Sequence, residues 1–232
     1  NLDTIVKDKN PFLTIQKRIF YYFHQDEYSS AEKDLGRDDF KSVWRTREDA
    51  TEYLQIDNFE EAIDFFTVYW NTAKDVHPPL FYFAVHIASI LFWGHFSKYI
   101  IFIVNLLFFY GTIHFLRKIL ELIGRKELTI PNLIFYGASI GAISTVIFQR
   151  MYMMLTFFTI WFLYINLKIY INSFELDKKL KRQLIVVTIL GFLTQYNFCI
   201  YAAFVALVMI GISIYKKNKK FILKYIVAFI IA

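Results

Sequence analysis

One cysteine, four prolines and eight glycines are all that 232 residues contain of these types. The single thiol, Cys199, lies in an apolar run, so an internal disulfide framework and a cysteine metal site are both excluded. Ser-, Pro- and Gly-rich linkers, internal repeats and low-complexity tracts are also missing, and nothing marks a second soluble domain. No phosphate loop, glycine-rich dinucleotide fingerprint or serine-nucleophile elbow is found. Acidic residues are scarce in one part only. Residues 78–232 hold 4 Asp/Glu against 16 Lys/Arg, while residues 1–77 hold 16 against 10, so the net charge of +6 is the sum of +12 and −6. The basic excess lies in short clusters between apolar runs. That is how the cytoplasmic loops of membrane proteins are charged, and it argues against nucleic acid as a partner.

What is abundant is apolar and aromatic side chain, 56% and 20% of the chain, too much for a soluble domain of this length. The sequence reads as an all-α, multi-pass membrane protein. Apolar stretches are found at 80–96, 99–116, 128–148, 151–172, 183–215 with a break near Gln195-Tyr196-Asn197, and from 221 onward. Three connections carry four cations each: Arg117, Lys118, Arg125 and Lys126; Lys178, Lys179, Lys181 and Arg182; Lys216, Lys217, Lys219 and Lys220. Placing these on the cytoplasmic side makes 99–116 run inward, 128–148 outward, 151–172 inward, 183–197 outward and 198–215 inward, with 221–232 the start of another span. The alternation puts the start of 99–116 outside, on the same side as residues 1–77. The 80–96 stretch is therefore expected to be a juxtamembrane helix in the outer interface, where His86, Trp93 and His95 suit a half-wet position. Residues 1–77 are expected to form a long extracytoplasmic loop with interfacial helices. In it Asp57 and Glu60 make a capping box before a helix carrying Phe59, Ile63, Phe66 and Trp70 near one face. The chain begins at Asn1 and stops within the apolar run 221–232, so an upstream span and further distal spans are expected around this piece.

Three local motifs carry candidate chemistry. Asp75-Val76-His77-Pro78-Pro79-Leu80-Phe81-Tyr82 puts a carboxylate and an imidazole in extended backbone ahead of a helix, and read blandly it is a helix start with a polar flank. His24-Gln25-Asp26-Glu27 supplies an acidic pair suited to a general base or a cation, although adjacent acids recur nearby as ordinary solvated surface. Gln149-Arg150-Met151-Tyr152 sets a strong cation at an outer span end, where snorkelling to lipid phosphate is the plain alternative. The five histidines show no metal-ligand spacing on a common helix.

Taken together these motifs resemble the GT-C superfamily of membrane glycosyltransferases. The branch is that of protein O-mannosyltransferases and lipid A aminoarabinose transferases, glycosyltransferase family 39-like. The resemblance rests on Asp26-Glu27, on the His-Pro-Pro-Leu element at 77–80 with its aromatics, on Arg150-Met151-Tyr152 and on Leu193-Thr194-Gln195-Tyr196, and spans Asp26 to about Phe204. Where the family has a span shortly before the acidic pair, this chain has the polar residues Gln16, Lys17 and Arg18. The resemblance implies transfer of a sugar from a polyprenyl-phosphate-linked donor to a hydroxyl of a protein, glycan or lipid acceptor at the outer face of the cell membrane. It implies Asp26 as catalytic carboxylate and Glu27 as the neighbour that orients the site. Arg150 and His77 are implied to hold the donor phosphate, with Asp75, Tyr152 and Gln195 in support. No cofactor is required by the sequence, although a divalent cation assists some relatives. The competing class is a non-enzymatic flippase or transporter of lipid-linked sugar, and a catalytically dead scaffold of the same fold is a third reading. A transporter is expected to place polar features in mid-membrane, whereas here the motifs gather toward one side.

Overall fold

The computed structural model describes residues 56, 58–73, 77–95, 97 and 99–232. Among these residues every regular element is helical: α1 (Phe59–Ile63), α2 (Phe65–Ala73), α3 (Leu80–Leu91), α4 (Tyr99–Leu122), α5 (Thr129–Gly137) after a 3₁₀ turn, α6 (Ile140–Ile147), α7 (Tyr152–Ile171), α8 (Lys178–Thr194), α9 (Asn197–Tyr215) and α10 (Lys219–Ile231). Three of them, α4, α7 and α9, are long and apolar enough to cross a membrane. The described part of the chain is all-helical, with apolar helices of membrane-protein type.

The helix ends follow local chemistry. The first cap is one residue later than the sequence reading set it: Asn58, not Asp57, accepts from the Glu61 N–H at 2.9 Å, and its amide donates to the Glu61 carboxylate at 2.7 Å. The partner is thus Glu61, not Glu60, and Asp57 lies outside the described residues. The expected single helix after this cap is divided at Asp64, whose carboxylate accepts from the Thr67 N–H and starts α2. Phe59, Ile63 and Phe66 are exposed, and Trp70 stacks on Phe66 at 5.7 Å. α1 and α2 sit on α3 through the His86 ring, which donates from Nε2 to the Ala62 carbonyl at 3.1 Å and meets the edge of Phe65.

α3 covers 12 residues, so at about 1.5 Å per residue it is roughly 18 Å long, short of a hydrocarbon core of about 30 Å. α4 has 24 residues and extends past the expected end of its span, carrying Arg117 and Glu121 as an ion pair at 3.4 Å one turn apart. The 128–148 stretch, expected as one span, is built as two helical pieces bent by 57°. The reason is local: Gly137 and Ala138 end α5, and Ser139, in extended backbone, starts α6 by accepting from the Ala142 N–H. The 183–197 stretch also differs. It is the apolar part of a 17-residue helix that begins with Lys178 under an Asp177 cap, and Gln195 and Tyr196 already lie beyond its end. Neither α8 nor α10 is among the helices that reach crossing length and apolarity.

α7 is the centre of the bundle. It packs on α4, α8 and α9, and Phe162, Ile165 and Ile169 on it are fully buried. Ring contacts fix relative direction. Phe108 meets Phe157 and Phe115 stacks on Trp161, so α4 and α7 run the same way. α10 runs opposite to α7, since Phe221 meets Phe174 and Phe229 meets Phe162. α9 starts beside mid-α7 at Phe198 and ends where Lys216 lies over Tyr170 and Phe174, so it runs with α7. The ends of α4, α7 and α9 thus share one end of the bundle, and all three basic connections lie there. The connections at 148–151 and 195–196 lie at the other.

Candidate functional site

Of the seven residues singled out by the sequence, Asp26, Glu27 and Asp75 lie outside the described residues. His77, Arg150, Tyr152 and Gln195 are described.

His77 stands three residues before α3, followed by buried Pro78 and then Pro79, the N-cap. Two prolines here supply the fixed φ of a helix start without removing a needed N–H donor. Phe81, only 3% exposed, pins the first turn of α3 into the core. The His77 ring is half-buried, and its Nδ1 is enclosed without a hydrogen-bond partner among the described residues. Such an atom is a place for a polar ligand or for a side chain from elsewhere in the protein.

Arg150 is exposed, and its guanidinium carbon sits 5.6 Å from the centre of the Phe148 ring. It makes no ion pair among the described residues. Its position is set from α4. The Asn105 side-chain amide, fully buried, donates to the carbonyls of Val146 and Phe148 at 3.3 Å each, satisfying the open C-terminal turn of α6 and fixing the start of the loop that carries Arg150. Tyr152, at the start of α7, stacks on Phe148 with centroids 6.0 Å apart. Gln195 is buried and ends α8 in extended backbone.

An open cleft of about 760 Å³ runs along α6, walled by Ile140, Ile143, Ile147 and Phe148, with Ser144 in the wall and Arg150 at the rim. A cation at the edge of an apolar groove suits an anion attached to an apolar chain. His77, Tyr152 and Gln195 do not line this cleft. The structure therefore joins Arg150 to Tyr152 through Phe148, and puts Gln195 at the same end of the bundle, without gathering the four into one pocket. Among the described residues no three His, Cys, Asp or Glu side chains converge. Asn105 escaped the sequence reading. Its signal was available, since it is the one strongly polar side chain at the middle of the 99–116 run, where an amide without a partner is costly.

No family model, curated protein or solved structure matches the chain.

Proposed function

We propose that the protein is a membrane glycosyltransferase of GT-C type. It moves a sugar from a polyprenyl-phosphate-linked donor to an acceptor hydroxyl at the membrane face opposite the three basic connections. The observation that carries this reading is Arg150 at the rim of the apolar cleft along α6, at the end of the bundle away from those connections. The guanidinium there holds the donor phosphate and offsets charge as the sugar leaves, and the apolar wall takes the prenyl chain. His77, the other residue assigned to the phosphate, does not line this cleft, so Arg150 carries the phosphate contact here. Asp26 accepts the acceptor's proton, Glu27 orients it, and Asp75, Tyr152 and Gln195 support the site.

The test uses the intact protein in membranes with a panel of polyprenyl-phosphate sugars. Transfer of one sugar to an acceptor, with Arg150→Ala raising the donor concentration needed by about 10- to 100-fold, supports the reading. Unchanged donor dependence in that variant refutes the role of Arg150.

One observation favours the transporter reading: the 57° break between the two halves of the α5–α6 stretch, a feature that transporters use to line a binding site. Vesicles that move labelled lipid-linked sugar between leaflets with no acceptor consumed would establish it.

A further inference from the structure

A second cleft, of about 460 Å³, lies at the basic end, between the turn that follows α7 and the start of α10. Its walls carry both signs of charge: Glu175 and Asp177 from the turn, Lys220 and Lys224 from α10. Among the described residues these four make no ion pair with each other or with anything else, although they share one cleft. Asp177 gives a carboxylate oxygen to the Leu180 N–H at 2.7 Å, and all four charged side chains are exposed. A ligand that carries both signs of charge would complement this cleft.

The acidic wall is held in place. Ser173 and Phe174 both have left-handed backbone, φ 55° and 64°, which is rare for a bulky residue and costs roughly 1 kcal/mol or more. The turn keeps this shape because the Phe174 ring is buried, 5.0 Å from Phe221 and 5.6 Å from Tyr170, with the Lys216 ammonium 5.1 Å from its centre. Phe221 belongs to α10, so the same contact that sets the turn also sets its distance from Lys220 and Lys224. Those two lysines fall on one face of α10 with Val227 and Ile231, which are exposed and apolar. A polar head seated between the walls therefore has an apolar track beside it.

The geometry points to a binding site for a phospholipid whose headgroup links a phosphate to a primary amine. The phosphate lies between Lys220 and Lys224, the ammonium on Glu175 and Asp177, and an acyl chain along Val227 and Ile231. A trimethylated amine has no N–H to donate to the carboxylates, and a glycerol headgroup has no cation. The site is independent of the glycosyltransferase reading and lies at the opposite end of the bundle.

The experiment takes the intact protein in neutral detergent, stripped of lipid, and offers it phosphatidylethanolamine, phosphatidylcholine and phosphatidylglycerol with matched chains. Bound lipid is counted by native mass spectrometry. The expected result is phosphatidylethanolamine retained about tenfold over both others. The Lys220→Gln/Lys224→Gln double variant loses that retention, Glu175→Gln abolishes the preference over phosphatidylglycerol, and Lys181→Gln changes neither. Equal retention of all three lipids by the unaltered protein overturns the proposal without recourse to variants. So does a preference for phosphatidylglycerol, which would mark a merely basic surface. Displacement by soluble phosphoethanolamine at the lipid's own concentration would overturn the assignment to lipid, and failure to displace supports it.

Discussion

Two asparagines decide how the bundle is locked. Asn166 on α7, 2% exposed, donates to the Phe162 carbonyl at 2.9 Å and accepts the Tyr225 hydroxyl from α10. Tyr225→Phe leaves the Asn166 oxygen without that donor, and the expected loss is about 0.5–2 kcal/mol in thermal unfolding in detergent. The double variant Asn166→Leu/Tyr225→Phe should unfold above the single one, since no polar group is then left without its partner. A double variant that unfolds below the Tyr225→Phe single variant would contradict this reading of the pair. Asn105→Leu should cost a similar amount by freeing the Val146 and Phe148 carbonyls. In the transfer assay it should weaken donor capture in the manner of Arg150→Ala while leaving Arg150 in place. Donor dependence equal to that of the unaltered protein would show that the loop holds itself. At this scale the sequence was only partly legible. Arg150 stood out as a cation between apolar runs, but the residue that positions it lies more than forty places away, and only a folded α4 brings the two together.

Hydropathy and charge located the elements well where a helix is long and uninterrupted. The stretch 151–172 became α7 and 198–215 became α9 almost to the residue. The break in 128–148 was hidden, because Gly137, Ala138 and Ser139 are small and scarcely lower the apolar average of a 20-residue window, yet one serine hydroxyl is enough to start a new helix there. The cap at Asn58 was missed by one position for a related reason, since Asp57 and Asn58 are both good caps and Glu60 and Glu61 both good partners. Close packing of α8 on α9 depends on Gly191, where an added Cβ would come within 2.5 Å of the Phe198 ring. That ring is itself clamped against Phe162 at 5.5 Å. Gly191→Ala should therefore lower stability by about 1–3 kcal/mol through overpacking, read as a lower unfolding midpoint, whereas Gly211→Ala, with open space at its Cβ, should be near neutral. Equal midpoints for the two variants would remove the close approach from the account.

Among the described residues α4, α7 and α9 run one way, α10 runs the other, and the three basic connections share an end. We expect single cysteines at positions 125, 179 and 217 to label from one side of the membrane and those at 77 and 150 from the other. Labelling of 77 and 179 from the same side would reverse the reading of α3 as a helix that does not cross. The proposed chemistry is at the end of the bundle that carries Arg150. It is tested most directly by the rate of sugar transfer from a polyprenyl-phosphate donor by the intact protein, compared with that of its Asp26→Asn variant. Measurable transfer by the first is expected, with a fall of about 100- to 10,000-fold in the second and donor binding preserved. Transfer at an unchanged rate by the Asp26→Asn protein would contradict it.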